Sequence, residues 1–148
     1  MTKRLASPPT YSHHQTGGFT LVELLVVLTI MSLLAALVAP QVMKYLGRAK
    51  SDTAALQIKD LESGLDLYLL DNGAYPSQAE GLNALFVKPA SAPNWNGPYL
   101  KKKYGLNDSW GRPYLYLLPG QHGDYDLYSL GADNKAGGEG ENKDVSNW

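Results

Sequence analysis

The chain has 148 residues, 13 basic and 14 acidic for a formal net charge of -1, and no cysteine. That length holds one compact domain plus a targeting or membrane segment. The balanced charge offers no broad cationic surface for nucleic acid, and the lack of thiols excludes disulfide frameworks, thiolate zinc sites and cysteine nucleophiles.

Residues 1–18 (MTKRLASPPTYSHHQTGG) carry Lys3 and Arg4, two prolines and a closing Gly17-Gly18, with no apolar run to pack a core. They read as an unstructured, mildly basic leader. From Phe19 to Val42 the sequence is FTLVELLVVLTIMSLLAALVAPQV, whose only charge is Glu23. This is about the 20 apolar residues that cross a bilayer as a helix. A cleavable secretory signal has a shorter apolar core followed by its cleavage site. Here the Gly-Gly pair precedes the apolar run, so residues 19–42 are expected to remain in the mature protein. Lys3 and Arg4 favour a cytoplasmic leader, while Lys44, Arg48 and Lys50 on the other flank weaken that preference.

Beyond the apolar stretch, Val42, Leu46, Ala49, Thr53 and Leu56, then Leu61, Leu65 and Tyr68, recur at three- and four-residue steps among charged residues. The spacing predicts that the helix continues with these positions as its buried stripe. Asn72-Gly73 predicts its end, and Pro40 a kink near the junction. Residues 74–111, rich in Gly, Pro, Asn and Ser, predict a long loop pinned by aromatics, with one helical turn near Gln78 to Phe86. Pro113 to Leu118 and Asp124 to Leu130 alternate across Pro119-Gly120-Gln121-His122-Gly123, a hairpin signal. The tail from Gly131 to Trp148 is glycine-rich and acidic and has no periodic segment. The expected fold is α+β: a long N-terminal helix, transmembrane then amphipathic, packed on a small antiparallel sheet. The domains expected are a leader (1–18), an apolar assembly segment (19–42) and a head (43–148).

A carboxylate inside an apolar span costs several kcal/mol unless paired. Cleavage between Gly18 and Phe19 places a new α-amino group about one helical turn from Glu23, where the two neutralise each other within one chain or between neighbours. The plainer alternative leaves Glu23 at the interfacial edge of a simple anchor, reaching for water.

The run GGFTLVELLVVLTIMSLLAALVAPQV resembles the class III signal and N-terminal helix of type IV pilin-like proteins. The resemblance implies that a prepilin peptidase cleaves after Gly18 and methylates Phe19, with Glu23 as the family's fifth mature residue and Pro40 as its helix proline. KDLESGLDLYLLDNGAYPSQAEGLNAL, DSWGRPYLYLLPGQHGDYDLYSLGAD and GGEGENKDVSNW are similar to the major pseudopilin of type II secretion systems, so the likeness covers the chain from Gly18 onward.

Read as residues alone, the acidic tail suits either a solvated loop or calcium, which accepts six to eight oxygens at irregular geometry. No DxDxDG pattern occurs. The resemblance implies a calcium site built from the carbonyl of Leu130, the side chain of Asp133, the carbonyl of Lys135 and acidic groups within Glu139 to Asp144, with Glu141 and Asp144 as the candidates. This chain departs from the family's Asp-rich run there, having Glu139-Gly140-Glu141-Asn142-Lys143-Asp144.

His13 and His14 fall in the leader, which leaves His122, a lone turn residue better read as a solvated loop position than as a base. No nucleophile motif or phosphate-cradling loop is present, so no enzyme is expected. The resemblance implies a structural subunit of the inner membrane with a periplasmic head. It would polymerise with itself into a pseudopilus, together with minor pseudopilins and the inner-membrane secretion platform. A type IV pilin, whose heads often carry a cysteine pair, and a minor pseudopilin are the nearest rivals. A membrane-tethered binding or assembly factor, with its leader kept, is the rival of another class.

Overall fold

The computed structural model describes residues 18–101 and 103–148, so all of the expected leader (1–18) but Gly18 lies outside the described residues. The chain divides at Ala39/Pro40 into two units. One helix, α1 (Leu21–Asn72), supplies residues to both.

The first unit is the apolar part of α1. Its side chains are exposed, and by length and composition α1 carries one segment able to cross a membrane. Helical structure continues through Pro40, which has no amide hydrogen to donate and opens the second unit.

In the second unit α1 buries Gly47, Ala54, Ile58, Leu61, Gly64, Leu65 and Tyr68. The lower half of the expected stripe, Leu61, Leu65 and Tyr68, is therefore found. The upper half is not, because Val42, Leu46, Ala49, Thr53 and Leu56 are all exposed. The helix approaches the rest of the unit there through small residues, Gly47 and Ala54, and turns its larger apolar side chains outward. It ends at Asn72, where Gly73 adopts φ +77°, a left-handed conformation that glycine tolerates best, and donates its amide to Leu69 O at 2.7 Å.

The expected turn is a 3-10 helix at Gly81–Leu85, which buries Leu82, Ala84 and Leu85. Aromatic side chains pin the surrounding loop. Trp95 Nε1 donates to Ala84 O (2.7 Å), and Tyr99 donates to Asp71 at the end of α1 (2.8 Å). The hairpin is present as β1 (Leu115–Leu117) and β2 (Asp126–Ser129), antiparallel with Tyr116 opposite Leu127. A third strand, β3 (Val145–Ser146), pairs with β2 and corrects the expectation of a tail without regular structure. Gln78 caps the free edge of β1: its amide donates to Tyr116 O and its carbonyl accepts from Leu118 N, both at 2.8 Å. An edge satisfied in this way is less open to pairing with another chain.

The core lies between α1 and the sheet, with Ile58, Leu61, Leu65 and Tyr68 against Leu82, Leu85, Tyr114, Tyr116, Tyr125 and Leu127. Burial pushes the hydroxyls of Tyr114, Tyr116 and Tyr125 well above the usual phenol range. The Tyr116 hydroxyl donates to Pro76 O (2.9 Å), and Tyr114 reaches Gln57 Oε1 on α1 (2.8 Å).

Candidate functional site

Gly18, Phe19 and Thr20 precede the first turn of α1. Glu23 N donates to Thr20 Oγ1 at 3.2 Å, so Thr20 caps the helix and Thr20-Leu21-Val22-Glu23 has the spacing of a capping box. Sequence reasoning missed this, although the T-x-x-E pattern was available to find it. Glu23 stands in the first turn, where a carboxylate faces the positive end of the helix dipole. Both residues expected to serve assembly sit at places with their own structural logic: Glu23 at the helix start and Pro40 at the division between units.

At the other end, the segment after β2 is shaped by left-handed backbone. Gly131 has φ +64°, and a side chain there would stand 2.7 Å from the Asn142 backbone. Across this close approach, Ala132 N donates to Glu141 O at 2.8 Å and closes residues 132–141 into a loop. Asp133 is exposed, and its Oδ1 accepts from Lys135 N (3.1 Å). Asp144 Oδ2 accepts from Gly137 N (2.9 Å), while its Oδ1 is buried without a partner. Glu141 turns to the helix, its carboxylate against Gly47. Among the described residues no three acidic or imidazole side chains lie together as a ready metal cluster. The donors on offer are carboxylate and carbonyl oxygens, which suit calcium and not the softer metals. Asp144 Oδ1 is a buried side-chain oxygen without a partner, which a cation would satisfy.

The loop is also gripped from its base by residues that sequence reasoning passed over. Asp108 is 6 % exposed; its Oδ1 accepts the amides of Trp110 (3.0 Å) and Arg112 (2.9 Å), and Ser129 of β2 donates to its Oδ2 (2.5 Å). Arg112 Nη2 stands 3.6 Å from Asp108 Oδ2 and donates to Gly131 O, while Nη1 donates to Ala132 O at 3.3 Å. The Asp108 contacts to Trp110 and Arg112 are local, but those joining Ser129 to Asp108 and Arg112 to Gly131 and Ala132 cross 19 to 21 residues of sequence, and local pattern carries no trace of them.

His122 is exposed in its turn, as expected, yet it is engaged. Its ring stacks on Trp148 at 4.0 Å between centroids, and Nδ1 lies 3.1 Å from Asp126 Oδ2. Burial raises the Asp126 carboxyl, but the amides of Gln121 and His122 and the His122 ring outweigh it, so the group is held below the usual carboxylate range.

Residues 41–148 match the family described as type II secretion system (T2SS), protein G, and residues 14–39 match the prokaryotic N-terminal methylation motif. The type II secretion system core protein G of Pseudomonas aeruginosa is 50% identical over 137 residues, covering 90% of this chain and 96% of the relative. That of Vibrio cholerae is 42% identical, covering 88% and 90%. The crystal structure of the major pseudopilin from the type 2 secretion system of enterohaemorrhagic Escherichia coli superposes with a TM-score of 0.60 at 35% identity, covering 72% of this chain and 88% of that one.

Proposed function

The chain belongs to the family of type II secretion system protein G, the major pseudopilins, and on that premise we propose how its two ends serve assembly. It is a structural subunit of the type II secretion pseudopilus, a prepilin peptidase substrate anchored at the membrane by its N-terminal apolar helix. The observation that carries the assembly reading is exposure: every residue from Gly18 to Leu46 is exposed, most of them large and apolar. Water does not tolerate such a surface, so a bilayer must cover it before assembly and neighbouring helices afterwards.

Cleavage falls between Gly18 and Phe19, and Phe19 is methylated. The freed amine, one turn from Glu23, is paired by that carboxylate in the same or an adjacent subunit, which fixes axial register. The anchor sits in the inner membrane with the head in the periplasm, and the subunits form a homopolymer in contact with minor pseudopilins and the secretion platform. The chain performs no catalysis.

The loop after β2 takes calcium through the side chains of Asp133 and Asp144 and the carbonyls of Leu130 and Lys135, with Glu141, seated on Gly47, outside that set. Calcium supplies a hard positive centre for these oxygens, and binding only the folded loop stabilises it by mass action. The test is thermal melting of the full chain in detergent, with chelator and with excess calcium, for the native sequence and for Asp133→Ala. A calcium-dependent rise in midpoint that Asp133→Ala abolishes is expected. An unchanged native midpoint contradicts the calcium assignment.

A further inference from the structure

The first arm of the loop, Gly131 and Ala132, presents two successive carbonyl oxygens to one place. That arrangement commonly serves a cation, and here the cation belongs to the chain. The guanidinium of Arg112 donates through Nη2 to Gly131 O and through Nη1 to Ala132 O. A planar fork with fixed donors can hold two neighbouring acceptors in a way that a lysine ammonium cannot. The fork is itself aimed. Its own backbone amide is tied to Asp108, whose second oxygen accepts from Ser129 in β2 and faces the guanidinium at 3.6 Å. Gly131 is buried and left-handed and Ala132 carries only a methyl, so this arm has no polar side chain of its own with which to be held.

We propose that Arg112 is a positioning residue that acts as a built-in cation for the loop: it fixes the carbonyls of Gly131 and Ala132 and so sets Leu130 and Asp133 on either side of them. Two consequences follow. The first arm of the loop is organised without metal. A bound calcium ion is also confined to the oxygens on either side of it, since the intervening carbonyls are taken and the guanidinium repels a second cation. The second consequence rests on the calcium reading above; the first does not.

Hydrogen exchange of the full chain in detergent tests both. In chelator, Arg112→Ala is expected to speed exchange of the Ala132 amide, which donates to Glu141 O, on the order of ten- to a hundredfold. Amides of α1 around Ile58 to Tyr68 should be unaffected. Arg112→Lys keeps the charge without the fork and should show the same sign with the core intact, which guards against a general failure to fold. Unchanged Ala132 exchange in either variant overturns the proposal. Added calcium should slow that amide more in Arg112→Ala than in the native chain, because the ion then reaches the vacated carbonyls. If calcium slows nothing in either protein, the calcium reading falls, and the clamp is still decided by the chelator arm.

Discussion

The carboxylate of Glu141 occupies the space that a side chain at Gly47 would need: a Cβ there would stand 2.5 Å from Glu141 Oε2 and 2.9 Å from Glu141 Cβ. The glycine is a seat cut into α1 for the loop. Alanine favours a helix by about 1 kcal/mol over glycine, but overpacking costs about 1–3 kcal/mol, and the Cβ contact cannot be relieved by rotating the carboxylate away. Gly47→Ala is therefore expected to destabilise the native chain and to become neutral or stabilising in a Glu141→Gly background. Denaturant unfolding of the four proteins in detergent measures that coupling.

The two faces of α1 should respond differently. Leu65 is 0% exposed, and Leu65→Ala should cost about 2–5 kcal/mol of stability through lost burial and an unfilled cavity. Leu56 is 64% exposed, and Leu56→Ala should stay within about 0.5 kcal/mol. Unfolding curves of the unassembled protein separate them, and any larger effect of Leu56→Ala should appear only in fibre yield.

Alkali should unfold the head before it ionises the buried phenols. Tyr114, Tyr116 and Tyr125 have raised values in the fold, so their contribution is fully present below the ordinary phenol value of 10.0 and is lost as pH rises above it. Tyrosinate absorbance followed together with circular dichroism should show these three titrating only with loss of structure.

Acid should act through Asp126, whose value is lowered by the Gln121 and His122 contacts. Its stabilisation is present above the ordinary 3.8 and is lost as pH falls below it. Asp126→Asn should flatten the acid limb of stability below about pH 4, read as denaturation midpoint against pH.

The long helix, its end at Asn72-Gly73, and the pairing of two aromatic strands across Pro119 to Gly123 were legible because each leaves a local mark: a period, a turn residue or an alternation. The buried face above Ile58 was misread because apolar character was taken to mean inward. Leu46 and Leu56 face outward, and the inward contacts there use Gly47 and Ala54, which hydrophobic patterning undervalues. The strand Val145–Ser146 is two residues long and can show no alternation. At the N-terminus Gly18, Phe19 and Glu23 were named from the motif, but the Thr20 cap was not. In the loop, Asp133 and Asp144 were named, whereas the hold of Arg112 on Gly131 and Ala132, and of Ser129 on Asp108, joins residues that only folding brings together.

Processing at Gly18 and polymerisation through the apolar helix can be read together by intact-mass analysis of fibres purified from cells that express the full chain with its secretion machinery. Fibres built of a species beginning at N-methylated Phe19 are expected, with none formed by Glu23→Ala protein that is still processed. A chain that keeps residues 1–18 and stays in the membrane as an unassembled tether would contradict both.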